Sequence, residues 1–279
     1  MKLLIKEKLK AGYMVFKMKK TDFRTSEVVK SEYEDSSWKI VSQSLLRILK
    51  EDKNATIWSL LLHKSIEPNT SFAMTGSYVQ TTSEEYLKYK SEKLKSIMSQ
   101  FKNFEILELG CGFGWNLAVL REAGHMGKLT GVDISQQGIN LGRKISEKFN
   151  LDIQYGHINL TDRRDISELG QEHASADLIF TYQVFEQLPN HTNILVGGLI
   201  KEFKKKKFIL IESSAGLFPL SFSDLLSKYY VKKKCYQTDI YAVLKNYQRQ
   251  GLIANLQIER LRCGHKIGNE SAIFSFDSL

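Results

Sequence analysis

The feature that most constrains the fold is a glycine-rich turn in residues 106–116, which read ILELGCGFGWN. An apolar run leads into Gly110, Gly112 and Gly114, and a helix is predicted to start at Trp115. Glycines at alternate positions allow a sharp turn and remove the side chains that would hold a ligand away from the peptide groups. The order of strand, glycine turn and helix therefore predicts a nucleotide pocket at the edge of a doubly wound α/β sheet.

The spacing of the glycines separates two classes of nucleotide. A dinucleotide turn has the spacing GxGxxG and places a pyrophosphate at a helix N-terminus. Here Gly110, Gly112 and Gly114 follow the spacing GxGxG, and the acidic Glu108 precedes them on the strand. A carboxylate beside the turn repels a pyrophosphate and suits an ammonium group. The motif resembles the first motif of the class I S-adenosylmethionine (SAM)-dependent methyltransferases, which implies SAM as cofactor and these four residues in its site.

A second acidic residue, Asp133, ends the next predicted strand about 20 positions beyond the last glycine, where a carboxylate accepts hydrogen bonds from ribose hydroxyls. Ile134 follows it and is expected to press against the adenine face. An alternative interpretation makes Asp133 the N-cap of the helix predicted from about Gln136, a position that Ser135 also suits.

The third predicted strand, residues 152–158, is followed by Asn159 and Leu160. In the family that the chain resembles, this edge carries a polar residue that meets the adenine amino group, and the next backbone amide meets a ring nitrogen. The resemblance therefore implies that Asn159 and Leu160 bind adenine. A shift of the alignment would transfer these roles to His157 and Ile158.

The fourth predicted strand, residues 176–182, runs into a segment that resembles the family's post-strand motif. Thr181 is expected in the cofactor site, and Tyr182 and Glu186 are the candidate catalytic groups for a proton on the acceptor. Glu186 also fits a helix start, where the dipole favours an acid. Gln187 stands where the family often has a histidine, and a neutral amide does not accept a proton.

The remaining pattern predicts a mostly parallel, seven-stranded sheet with an antiparallel C-terminal strand and a helical N-terminal extension. We expect this extension, residues 1–75, to cap the site, and residues 76–279 to form the SAM-binding domain. Within the domain, residues 213–238 make a long insertion after the fifth strand, on the rim where open α/β sheets bind ligands, and are predicted to be a lid. The resemblance implies that Tyr78 contacts the methionine end of the cofactor.

The composition of the chain limits the kinds of molecule that it is expected to bind. The net charge is +9, and lysine clusters at 201–207 and 232–234 would suit RNA, although such clusters are more often solvated faces. No apolar run reaches the roughly 20 residues that span a bilayer. The basic, amphipathic first 20 residues would suit either an anionic membrane surface or a solvated helix. The 3 cysteines lack CxxC spacing, so a reducing cytoplasm is expected.

The function that the resemblance implies is methyl transfer to a hydroxyl or amine of a small-molecule acceptor by direct displacement. The paired acidic ligands of metal-dependent catechol methyltransferases are not seen after the fourth and fifth strands, so no metal is expected. Two alternatives stay open: an RNA or protein methyltransferase, and a catalytically inactive, cofactor-binding partner subunit. A nicotinamide oxidoreductase is disfavoured by the glycine spacing.

Overall fold

The computed structural model describes residues 38–52, 54–63, 70–74, 77–188, 192–218, 222–265 and 269–279, together with residues 13, 16, 17, 28 and 31. Most of the predicted basic N-terminal helix lies outside the described residues. The strands are β1 (Thr70–Met74), β2 (Ser77–Thr81), β3 (Ile106–Leu109), β4 (Leu129–Asp133), β5 (Ile153–His157), β6 (Leu178–Tyr182), β7 (Lys207–Ser213), β8 (Ile253–His265) and β9 (Asn269–Ser278). The α-helices are α1 (Trp38–Glu51), α2 (Ile57–His63), α3 (Ser83–Met98), α4 (Trp115–Glu122), α5 (Gln136–Phe149), α6 (Arg163–Glu172), α7 (Thr192–Glu202), α8 (Phe222–Lys234) and α9 (Ile240–Arg249).

The strands form one sheet in the order β2-β1-β8-β9-β7-β6-β3-β4-β5. Strands β3 to β7 pair in parallel, and β9 runs antiparallel to both β7 and β8. The predicted seven-stranded sheet with its antiparallel end is therefore confirmed in β3 to β9. The hairpin of β1 and β2 extends it by pairing Ala73 with Gly264 on β8. This hairpin spans the domain boundary that we predicted between residues 75 and 76.

The central parallel strands carry helices on both faces, which explains their nearly continuous apolar sequences. On one face α3, α4 and α5 pack with the N-terminal helices, and buried Leu45, Leu60 and Leu61 join the same core. On the other face α6, α7 and α9 cover a second core that contains Phe208 and Phe274. The chain crosses to opposite sides of β3 when it forms β4 and later β6. A ligand crevice is expected at this switch point, beyond the carboxyl ends of β3, β4 and β6.

The helix before β3 is fixed at its N-terminal end. Thr82 and Glu85 form a capping box that satisfies the first backbone amides of α3. One turn later the Tyr86 ring stacks on Phe72 of β1, with ring centres 4.3 Å apart. These contacts direct the following turn of α3, which carries Lys90, toward the crevice. None of the described helices is long and apolar enough to cross a bilayer.

Candidate functional site

A cavity of about 250 Å³ lies at the carboxyl ends of the parallel strands. It is bounded by α3, the glycine loop and the segments that follow β4, β5 and β6. The predicted site residues that line it are Gly110, Gly112, Asp133, Ile134, Asn159, Leu160 and Tyr182. The structure therefore brings together predicted site residues from four loops that are separate in the sequence.

The glycine loop is shaped by its own backbone. The amides of Gly110 and Cys111 both donate to the Val132 carbonyl, at 2.8 and 3.0 Å, which ties the loop to β4. Gly114 has a φ of +79° and starts helix α4. A Cβ atom there would collide with the Tyr155 ring. Gly114 does not line the cavity, so the structure gives it a packing position rather than a contact surface.

Asp133 occupies the floor of the cavity with only 9% of its surface exposed. Its Oδ2 accepts a hydrogen bond from the Gly112 amide and its Oδ1 accepts one from the Ser135 amide, both at 2.8 Å. The N-cap of α5 is Ser135, whose hydroxyl accepts from the Gly138 amide. The capping alternative for Asp133 is therefore wrong. An ionised carboxylate can only accept hydrogen bonds, so Asp133 presents acceptor oxygens at the cavity.

The edge beyond β5 presents Asn159 and Leu160 to the cavity. The Asn159 side-chain oxygen accepts hydrogen bonds from the amide and the hydroxyl of Thr161, at 3.1 and 2.7 Å, which fixes this short loop. Ile158 also lines the cavity, whereas the exposed His157 does not. The His157 ring instead lies 2.9 Å from the Ile134 carbonyl.

Glu108 lies beneath the glycine loop, is 1% exposed and is not among the lining residues. Its Oε1 accepts a hydrogen bond from Asn116, which does line the cavity. Within the described part of the chain, Glu108 Oε2 and Asn116 Oδ1 are buried and receive no hydrogen bond. Burial raises the pKa of Glu108 to about 8, opposed by the hydrogen bond from Asn116 and by the charge of Lys90.

Lys90 also lines the cavity, although no motif in the sequence indicates it. Its ammonium nitrogen lies 4.4 Å from the centre of the Trp115 ring and 4.0 Å from the centre of the Tyr182 ring. Both distances are within the range of cation–π attraction. The Trp115 indole is itself held by a 3.1 Å hydrogen bond to the Leu61 carbonyl. The ammonium position is therefore set by two rings from distant parts of the chain.

The two candidate catalytic groups are placed differently. Tyr182 lines the cavity, but burial raises the pKa of its phenol well above the ordinary value, so the group is protonated near neutral pH. Glu186 is 3% exposed and is not among the lining residues. Gln183 and Gln187 line the cavity beside Tyr182. Gln183 has a φ of +58°, a left-handed conformation that is uncommon outside glycine and often occurs at functional sites.

The loop after β6 is held by a buried carboxyl from β7. Glu212 Oε1 accepts hydrogen bonds from the Thr181 hydroxyl at 2.7 Å and from the Val184 amide at 3.2 Å. Burial raises the pKa of Glu212 to about 7. Thr181 is fully buried and does not line the cavity. The two residues thus position the loop that carries Gln183 and Gln187.

The predicted cap and lid do not line the cavity in their described residues. The side chain of Tyr78 lies outside the part of the chain that the structure describes. Helix α8, within the predicted lid, is anchored to the sheet by Arg260, which donates to Asp224 of α8 at 2.9 Å and also pairs with Glu270 of β9. A second anchor joins the Gln237 amide to the Glu186 carbonyl at 2.8 Å.

Comparisons with known proteins agree with this geometry. Residues 100–259, more than half of the chain, match a family model described as a methyltransferase domain. No curated protein matches the sequence significantly.

Solved structures share the fold at low identity. Magnesium protoporphyrin IX methyltransferase from Synechocystis PCC 6803 with bound SAM has a TM-score of 0.52 and 11% identity, over 91% of this chain and 97% of that chain. The same enzyme with bound SAH gives a TM-score of 0.53 at 11% identity, over 91% of this chain and 100% of that chain. Human N-acetylserotonin methyltransferase with SAM gives a TM-score of 0.52 at 15% identity, over 70% of this chain and 53% of that chain.

Proposed function

This chain belongs to the methyltransferase-domain family, and from that premise we propose that it transfers a methyl group from SAM to a small-molecule acceptor by direct displacement. The predicted resemblance is thereby confirmed at the level of the family.

The observation that carries the proposal is the set of acceptor oxygens around the glycine loop. Glu108 Oε2 and Asn116 Oδ1 receive no hydrogen bond from the described residues, and the carboxylate of Asp133 lines the cavity. An unpartnered buried polar atom is costly, so such oxygens favour a ligand rich in donors. The ammonium group and the ribose hydroxyls of SAM are donors, whereas a pyrophosphate offers only acceptors and negative charge. The residues present therefore fit SAM better than a dinucleotide.

We expect different residues of the chain to contact different parts of the cofactor. We assign the ammonium end of the cofactor to Glu108 and Asn116, the ribose to Asp133, and the adenine to Ile134, Asn159 and Leu160. When bound, SAM supplies a methyl group that its sulfonium already activates. The protein then has to align the acceptor with that methyl group and exclude water. Tyr182, at the end of β6, stands where the acceptor would approach, and its protonated hydroxyl is suited to orient the acceptor rather than to remove a proton.

Calorimetric titration tests the cofactor assignment. We expect SAM and S-adenosylhomocysteine (SAH) to bind and NAD not to bind. Binding of NAD with an affinity equal to that of SAH would contradict the proposal. A second experiment incubates the protein with methyl-labelled SAM and either a small-molecule extract or total RNA. We expect label in small molecules, and label confined to RNA would transfer the assignment to the RNA-methyltransferase alternative.

A further inference from the structure

We propose that the acceptor is a carboxylic acid, methylated as its carboxylate, and that Lys90 binds that carboxylate. The inference rests on the proposed function and specifies its substrate class. Two features of the cavity support it independently: a cation held in a fixed position, and the character of the groups that would have to accept a proton.

The ammonium group of Lys90 is held in place at the wall of the cavity. Its nitrogen lies over both the Trp115 and the Tyr182 rings, at 4.4 and 4.0 Å from their centres. Tyr182 ends β6 and Trp115 begins α4 directly after the glycine loop. The cation thus faces the cavity between the cofactor loop and the post-β6 loop. A lysine fixed by two rings has lost much of the side-chain freedom that binding an anion would otherwise cost.

The charges of the cavity favour an anion beside Lys90. Among the described lining residues, Lys90 is the only cation and Asp133 the only acid. The nearby buried Glu108 is assigned to the ammonium group of the cofactor, so its charge is offset there. A sulfonium in the same cavity would add a second positive charge, and like charges in a poorly solvated cavity repel each other. An acceptor that carries a negative charge turns this repulsion into attraction.

The groups available to accept a proton also favour a carboxylic acid as the acceptor. The lining residues that the structure describes contain no histidine, and Asp133 already accepts two backbone hydrogen bonds. Tyr182 is protonated, and Gln187 is a neutral amide. A phenol, with a pKa of about 10, is protonated at neutral pH, as alcohols and ammonium groups are. Such acceptors have to lose a proton before they attack the methyl group. A carboxylic acid, with a pKa of about 4, is already ionised at neutral pH.

The proposed step balances without a proton. A lone pair on the carboxylate oxygen forms the new bond to the methyl carbon while the bond between that carbon and sulfur breaks. The electron pair of the broken bond remains on sulfur. The products are a neutral methyl ester and the thioether SAH, and the negative and positive charges cancel.

The first experiment identifies the chemical class of the product. The protein is incubated with methyl-labelled SAM and a small-molecule extract, and the labelled products are treated with mild alkali. Methyl esters release volatile labelled methanol under these conditions, whereas methyl ethers and methylamines do not. We expect the label to be released as methanol. Alkali-stable label would overturn the carboxylate inference and leave the proposed methyltransferase function intact, while failure to bind SAM or SAH would overturn that function itself.

The second experiment tests Lys90. We expect Lys90→Met to lower kcat/KM for the carboxylic acid identified in the first experiment at least about tenfold. The effect should be mainly on KM, because the carboxylate no longer has the Lys90 ammonium group to bind. The dissociation constant of SAH, measured by calorimetry, should change less than about threefold. Lys90→Arg keeps the charge and should restore most of the activity. The control is Lys88→Met, on the same helix, whose exposed side chain pairs with Glu84 at 2.8 Å.

Two results would overturn the role of Lys90. The first is an unchanged KM for the acid in Lys90→Met. The second is a loss of SAH affinity as large as the loss of acceptor affinity, which would place the carboxylate of the cofactor, rather than that of the acceptor, beside Lys90.

Discussion

The Asp133 carboxylate accepts a hydrogen bond from the Gly112 amide at 2.8 Å. This contact joins the acid at the end of β4 to the middle of the glycine loop after β3. Two motifs that the sequence presents separately are therefore one structural unit. Because the other oxygen of Asp133 holds the Ser135 amide, the acid fixes both the glycine loop and the start of α5 while facing the cavity.

Asp133→Ala should weaken SAH binding by roughly 10- to 100-fold, about 1 to 3 kcal/mol, because the ribose hydroxyls lose their acceptor. Calorimetry gives the affinity, and circular dichroism at the same temperature checks folding. Glu147→Ala, which removes an exposed acid from α5, is the matched control and should bind SAH normally. An unchanged affinity in folded Asp133→Ala would remove the ribose role.

Replacing Gly114 or Gly124 by alanine should lower the stability of the protein by different amounts. Gly114 and Gly124 have φ values of +79° and +83°, but a Cβ at Gly124 meets nothing within 4 Å, whereas one at Gly114 collides with Tyr155. Gly124→Ala should therefore cost only the backbone strain, roughly 1 to 2 kcal/mol. Gly114→Ala should cost clearly more in urea unfolding. Equal losses would mean that Tyr155 moves aside without penalty.

Much of the fold was readable from the sequence because its signals are local. The apolar strands, the helix after the glycine loop and the acid at position 133 depend on neighbouring residues, and each lies where the pattern predicted. The strands β3, β4, β6 and β7 are buried along nearly all of their length, so their sequences are apolar enough to stand out.

Other features were not readable, because they depend on contacts between distant segments. The role of Lys90 depends on rings at positions 115 and 182, and no spacing rule connects these residues. The hairpin of β1 and β2 is defined by pairing with β8 near the other end of the chain. The structural role of Glu212 also depends on such a contact, because its carboxyl accepts a hydrogen bond from the Val184 amide in the loop after β6.

Glu108 should make SAH binding depend on pH. Its pKa of about 8 in the unliganded protein means that it is mostly protonated at pH 6, and the ammonium group of SAH favours the ionised form. Affinity should therefore rise from pH 6 toward pH 8, with a proton released on binding. Glu108→Gln cannot ionise, so calorimetry should show a flatter pH profile. The same slope in this variant would contradict the assignment.

The Glu108 carboxyl should also make the stability of the fold depend on pH, and stability should fall over the pH range in which SAH affinity rises. Its folded pKa is raised above the ordinary value of 4.5, so the folded state binds the proton more tightly than the unfolded state. This contribution is complete below about pH 4.5 and is lost as the pH rises toward 8. Glu108→Gln cannot ionise and therefore does not lose this stability as the pH rises. The Tm of the variant minus the Tm of the native protein should be larger at pH 8 than at pH 5. A constant difference in Tm between these pH values would show that burial does not disfavour the ionised carboxyl.

The anchor of helix α8 should be far more important than a surface ion pair. The guanidinium of Arg260 pairs with Asp224 and Glu270, whose side chains are 5% and 1% exposed. Arg260→Met leaves two acids buried without their cation, and removal of one partner from such a pair typically costs about 3 to 5 kcal/mol. Lys207→Met, which breaks a partly exposed pair with Asp277, should cost at most about 1 kcal/mol. Urea unfolding measures both losses.

A triple variant separates buried charge from lost packing. Adding Asp224→Asn and Glu270→Gln to Arg260→Met removes the two carboxylates that the single change strands, so part of the stability should return. If the triple variant is no more stable than Arg260→Met, the loss comes instead from the packing of the Arg260 side chain, whose guanidinium lies 5.3 Å from the centre of the Phe218 ring. Because none of these residues lines the cavity, SAH affinity should be retained wherever the variant is folded. A variant that is folded but no longer binds SAH would show that the position of α8 is coupled to the cofactor site.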